Sequence, residues 1–146
     1  MAATTAVNAK TAPATVSIAG TWKLNAAASS FETMPLKSET RVYTVNGNKI
    51  TMHSEAVDTA GKAVNVNFTA AYDGKQYPEV GSPIADSIAL TKLNARTVTA
   101  IMRKGSKIAA TSRSILSADG KRFTITRKIG TPPAKLATNV LVYDRQ

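Results

Sequence analysis

Beyond residue 36 the chain alternates apolar and polar positions in short stretches, each closed by a turn signal. In 49–57, Ile50, Met52 and Ala56 fall on one face, with Thr51, His53 and Glu55 on the other. In 63–71, Val64, Val66, Phe68 and Ala70 oppose Asn65, Asn67 and Thr69. A period of two marks a half-buried strand, because successive side chains point to opposite faces of a sheet. Segments rich in Val, Ile, Thr, Tyr and Phe cover 17–24, 37–45, 49–57, 63–71, 85–93, 96–103, 107–117, 121–128 and 136–144. The turns between them include Asn46-Gly47 and Asp119-Gly120, the dipeptides that best suit the positive φ angles of tight hairpins. Only 25–34 has helical character, enough for a turn or two. A meander of this kind removes its exposed edges by closing on itself. The pattern therefore predicts an all-β fold: a single antiparallel up-and-down β-barrel of about 8–9 strands over 17–146, with a short helical turn near 25–34.

Hairpin pairing extends the alternation to side chains that apolar pattern alone does not place. With Asn46-Gly47 as a two-residue loop, Val45 pairs with Asn48, Tyr43 with Ile50 and Arg41 with Met52. Directly paired residues share a face, so Arg41 and Tyr43 are expected inside. The same rule at Asp119-Gly120 pairs Leu116 with Phe123, Ser114 with Ile125 and Ser112 with Arg127, which puts Arg127 inside and Arg113 outside. A one-residue bulge reverses either assignment. Small inward residues (Ala70, Ala100, Ala110, Ser112 and Ser114) leave room, so a cavity is expected.

The chain's single tryptophan stands in Gly20-Thr21-Trp22-Lys23-Leu24, on the first strand. A Gly-x-Trp there, followed by a β meander that ends in a strand with Tyr143 and Arg145, resembles the calycins, the lipocalins and fatty-acid-binding proteins. The stretch 72–86, "YDGKQYP…GSP…D", is similar to small exported bacterial proteins described as lipocalin-like. The resemblance implies that Trp22 packs across one barrel end beneath Arg145, with Gly20 admitting close approach of the chain. A guanidinium over an indole face gains ~0.5–2 kcal/mol. Fatty-acid-binding proteins hold a carboxylate with an Arg-x-Tyr on the last strand and a further cavity Arg. Here the matching stretch is Leu141-Val142-Tyr143, which lacks the first Arg, and Arg113 takes the place of the other by sequence order. That assignment conflicts with the hairpin pairing, which turns Arg127 inward instead. The distance from the first strand to the second is also too short for the two-helix lid of that family.

Composition narrows the chemistry. The 146 residues carry 19 Lys and Arg against 9 Asp and Glu, a formal charge of +10. The basic residues are scattered singly, with no run of five and no aromatic stacking motif among them, so nucleic acid is not the expected partner. Zero cysteines exclude disulfides and thiolate metal sites, and one histidine with dispersed carboxylates makes a metal or cofactor site unexpected. No apolar run approaches the ~18 residues of a membrane helix. The opening 1–16 is Ala/Thr-rich with neither a basic nor a continuous apolar region, as in the flexible start of a mature exported protein, periplasmic or secreted. His53 is the only imidazole, with Glu55 two residues on and hence on its face, but pairing turns that face outward.

An inward Arg41 or Arg127 needs an internal carboxylate, a Tyr hydroxyl, water or a ligand anion, unless it lies hydrated at the rim. Tyr43, Tyr72 and Tyr143 are the candidate partners. The stretch 72–83, with two tyrosines and two prolines, reads as a lip over the barrel mouth or a packed Ω-loop. The expected function is binding of a small apolar or amphipathic molecule, neutral or anionic, by a monomer or weak dimer. Met52, Phe68, Met102 and Phe123 supply apolar contact, and Arg41, Tyr43, Tyr72, Arg113, Arg127 and Tyr143 supply orientation. Two rival readings use the same chain. One is an isomerase, cyclase or lyase in which His53, Glu55, Tyr43 and Arg127 do acid–base work. The other is a surface binder of polyanions.

Overall fold

The computed structural model describes residues 16–146, so the leader expected over 1–16 lies, apart from Val16, outside the described residues. Eleven strands and one 3₁₀ turn follow in order: β1 Gly20–Leu24, the turn Ala26–Ala28, β2 Ser30–Phe31, β3 Leu36–Asn46, β4 Lys49–Asp58, β5 Ala63–Ala71, β6 Gln76–Val80, β7 Ser87–Asn94, β8 Thr97–Lys104, β9 Lys107–Leu116, β10 Arg122–Ile129 and β11 Ala137–Arg145. Every neighbouring pair is antiparallel. β1 bonds to both β3 and β11, which closes the sheet into a barrel of ten strands. β2 lies on the rest of the β11 edge, through Ser30–Val140 and Phe31–Asn139. The 3₁₀ turn is the short helical element expected near 25–34. Asn25 caps it by accepting from the Ala28 N–H.

The barrel exceeds the expected strand count because 72–83 contains β6. This strand is short and has Pro78 at its centre, which removes a ladder donor and masks the strand in sequence. It pairs with β5 only at Asn67–Val80 and Phe68–Glu79, then with β7 over Gln76–Pro78. The stretch is thus a wall of the barrel and not a lip above it.

The 46–49 hairpin also differs in detail. The loop is Gly47-Asn48, with Gly47 at φ +61 in the first central position, as a type II′ turn requires. Val45 therefore pairs with Ile50, Tyr43 with Met52 and Arg41 with Ser54. The slip from the expected register is two residues on one strand, so no side chain changes face. The other hairpin matches expectation, with Phe123 opposite Leu116, Ile125 opposite Ser114 and Arg127 opposite Ser112.

Two apolar clusters pack inside the barrel. One gathers Ile50, Met52, Phe68, Leu90 and Met102; the other gathers Trp22, Leu116, Phe123, Leu141 and Tyr143. Trp22 is wholly buried, and its indole N–H donates to the Ile18 carbonyl at 2.8 Å. In register it faces Arg41 on β3 and Arg145 on β11. The Arg145 guanidinium lies 4.3 Å from the indole centroid and donates to the carbonyls of Ala19 and Gly120. Gly20 makes room for it: at φ +130, a Cβ there would stand 2.7 Å from Arg145 Nη1.

These contacts predict that Trp22→Ala lowers unfolding free energy by about 3–5 kcal/mol in a urea titration, through lost burial and the cavity left behind. Gly20→Ala loses about 1–3 kcal/mol through the strained φ and the displaced guanidinium. A loss under about 1 kcal/mol for Trp22→Ala contradicts its role in closing this end.

Candidate functional site

β3 sends Glu39, Arg41 and Tyr43 inward at alternate positions, so two charges and a phenol enter the lumen from one strand. The Glu39 carboxylate is 3 % exposed. It accepts from Arg41 Nε at 2.5 Å, from the Ser54 hydroxyl of β4 at 2.6 Å and from the Tyr143 hydroxyl of β11 at 2.5 Å. Arg41 Nη1 donates to the Tyr43 hydroxyl at 3.0 Å, and the guanidinium rests 4.9 Å from the Tyr143 ring centroid. An aromatic chain joins this network to the tryptophan. Phe123 stacks on Tyr143 at 4.6 Å and meets Trp22 edge-on at 4.8 Å.

Burial alone would raise the Glu39 pKa, but Arg41 and the hydroxyls of Ser54 and Tyr143 outweigh it and hold the group below its ordinary 4.5. Arg41 is likewise opposed by burial but held well above its ordinary value by Glu39 and the two tyrosines. Tyr143 is pushed well above the usual phenol range, by burial first and by Glu39, while Arg41 opposes. Glu39 is therefore an ionised acceptor with its donors in place. This part of the site is complete within the protein.

A second pair is not. Glu79 on β6 faces inward opposite Phe68, and Arg127 on β10 faces inward opposite Ser112. Glu79 is 8 % exposed, yet its Oε1 has no hydrogen-bond partner within the protein, and neither has the buried Nε of Arg127. Burial raises the Glu79 pKa, and Arg127 and Arg41 offset only part of that rise. The two side chains sense each other's charge without forming an ion pair.

Both groups border a cavity of about 740 Å³ within the barrel. Ten strands enclose more space than the eight-stranded barrels whose side chains nearly fill them. Of the small residues expected inside, Ala100, Ser112 and Ser114 line the cavity, whereas Ala70 and Ala110 are wholly buried in the apolar cluster beside it. Met52, Phe68, Tyr72, Met102 and Phe123 line it too, with Arg41, Tyr43 and Arg127. Burial, then Tyr43, moves the Tyr72 pKa to about 12, so that phenol stays protonated.

Two residues expected at the site are elsewhere. Arg113 is exposed on the outer face of the β8–β10 wall, beside Thr99 and Thr126, because its hairpin register sets it opposite in phase to Arg127. Tyr143 is fully buried behind Phe123 and orients Glu39 without reaching the cavity. His53 and Glu55 lie on the outer surface, where His53 bonds to Asn67 and Glu55, on the opposite side of the wall from Tyr43 and Arg127. These four side chains do not form one constellation. Among the described residues no group of His, Cys, Asp or Glu could hold a metal ion.

The residues that sequence reasoning missed are Glu39, Ser54 and Glu79. Glu39 stands two positions before Arg41, and Ser54 stands between Met52 and Ala56, so alternation carries both inward. Glu79 sits in a strand that the prolines conceal.

A first-strand Gly-x-Trp beneath a last-strand Arg, in a closed up-and-down antiparallel meander, decides the architecture. The barrel is lipocalin-like. No family model and no curated protein matches the sequence. Among solved structures, apocrustacyanin C2, apocrustacyanin C1 and lobster apocrustacyanin A1 are similar, each 13% identical, with TM-scores of 0.45, 0.47 and 0.45. The alignments cover 94% of this chain and 66% of each of those chains. Among the described residues, no helix of the lipocalin-like barrel is long and apolar enough to cross a membrane.

The two carboxylates predict opposite effects on stability. Glu39, with its pKa lowered by folding, stabilises fully above its ordinary pKa, and that contribution fades as pH falls through the lower folded value. Glu79, with its pKa raised, favours the fold below its ordinary pKa and opposes it as pH rises through the higher folded value. Glu39→Gln strands a buried guanidinium, so it should cost about 3–5 kcal/mol at neutral pH. Glu79→Gln should leave stability within about 1 kcal/mol of the parent or raise it. Urea titrations at neutral pH check both, and equal losses contradict the assignment.

Proposed function

We propose that this lipocalin-like barrel binds a small amphipathic molecule in its lumen. The observation that carries the proposal is the cavity of about 740 Å³, lined by apolar side chains and bordered by two buried polar atoms that have no partner in the protein. That volume lies within the range of small-molecule sites, which are mostly apolar with a few convergent polar groups. The apolar body of the ligand lies along Met52, Phe68, Leu90 and Met102. Its polar end meets Arg127 and Glu79, with Tyr43 and Tyr72 near by. Arg41 acts at one remove, since Glu39 and Tyr43 already hold its guanidinium. Removing apolar area from water contributes about 25 cal/mol per Å² before the cost of ordering the ligand. The Ala/Thr-rich opening supports an exported setting, periplasmic or secreted, and a monomer or weak dimer suffices because one barrel supplies every group named.

Native mass spectrometry of protein mixed with a neutral naphthylamine dye tests the proposal. One dye per barrel is expected, with enhanced fluorescence that changes little with salt. Ala100 faces the lumen between Leu90 and Ser112, so Ala100→Phe fills that space and should weaken dye binding roughly tenfold or more. Dye that binds Ala100→Phe as tightly as the parent, or in a strongly salt-dependent way, overturns binding in the lumen.

A further inference from the structure

The charges inside the barrel balance. Glu39 is matched by Arg41 in direct contact, and Glu79 is answered by Arg127 across the lumen. Asp58, at the end of β4, borders the cavity with its Oδ1 held by the Ala60 and Lys62 N–H groups, and Lys62, Lys92 and Arg96 border it as exposed side chains, the Lys92 ammonium of β7 lying 5.1 Å from the Tyr72 ring centroid. No nitrogen–oxygen contact within 4 Å joins Glu79 to Arg127, although both lack a partner for a buried atom. One unpartnered atom is an acceptor and the other is a donor. With Glu79 ionised, a group that meets both accepts from Arg127 and donates to Glu79.

An ionised carboxylate satisfies Arg127 but sets a second negative charge beside Glu79, with Glu39 already in the lumen. An ammonium satisfies Glu79 but faces Arg127 and Arg41. In a lumen lined mostly by apolar atoms, like charges are poorly screened, so either ion is penalised. A neutral group carrying an N–H and a carbonyl side by side meets both needs at once. From these two buried, unpartnered atoms at the cavity wall we infer that the ligand's polar end is a neutral donor–acceptor group of the carboxamide class, held by Glu79 and Arg127. This rests on the lumen reading above, and it adds the chemical class of the ligand. It also separates this barrel from carriers that grip a fatty-acid carboxylate with arginines, whose pattern the last strand lacks.

The test is displacement of the naphthylamine dye at neutral pH by decanamide, decanoate and decylammonium, which share a chain length and differ in the head. Decanamide should compete at roughly tenfold lower concentration than either ion, because a site built to hydrogen-bond rejects what leaves its groups unpaired. Two variants move the preference in opposite directions. Glu79→Gln leaves an uncompensated arginine and should turn the preference toward decanoate, whereas Arg127→Met should turn it toward decylammonium. If the dye binds and decanoate or decylammonium equals decanamide, or if neither variant changes the order, the carboxamide inference is overturned while the lumen reading stands. Dye that is displaced by none of the three also overturns it. If neither the dye nor any of the three ligands binds, both readings fall.

Discussion

The Glu39 carboxylate is the point on which the barrel depends. It is buried, ionised and held by donors from three strands: Arg41 of β3, Ser54 of β4 and Tyr143 of β11. β3 and β11 are the two neighbours of β1, the strand that closes the sheet. The network therefore spans the seam from inside while backbone ladders span it in the wall. A buried ion pair is costly unless its remaining hydrogen-bonding positions are filled. Here Ser54, Tyr43 and Tyr143 fill them, which makes the arrangement specific to one register of β3 against β11.

The same seam explains why the aromatic residues gather where they do. Trp22 sits between Arg41 and Arg145 in register, and Phe123 couples it to Tyr143, whose hydroxyl reaches Glu39. One end of the lumen is consumed by this packing. The strands from β6 to β10 carry the small inward residues Ala100, Ser112 and Ser114 and the unpartnered Glu79 and Arg127. A polar set that is complete within the protein thus stands beside one that is not, and the incomplete set borders the open space.

Much of this was legible in the alternation of the strands. Arg41, Tyr43 and Arg127 were placed inside by pairing rules, and a two-residue slip at Gly47-Asn48 did no harm because strand faces repeat every two residues. Glu39 obeys the same rule, standing two positions before Arg41 on β3. Glu79 was not legible in the same way. Pro78 and the turn residues around it gave the β6 segment the composition of a loop, so neither the tenth barrel strand nor its inward carboxylate was foreseen. Arg113 shows the reverse error. Its place in sequence order, compared with fatty-acid-binding proteins, points to the site, while the phase of its own hairpin, set by Asp119-Gly120, turns it outside.

The central claim is that one lumen holds two carboxylates in opposite electrostatic states, one satisfied by the protein and one left open. Carbon-13 NMR of the glutamate side-chain carboxyls across a pH titration, with Glu39→Gln and Glu79→Gln for assignment, measures this directly. The account predicts that Glu39 titrates below the ordinary glutamate value of 4.5 and Glu79 above it. Coincident titrations, or Glu39 titrating above Glu79, would contradict it.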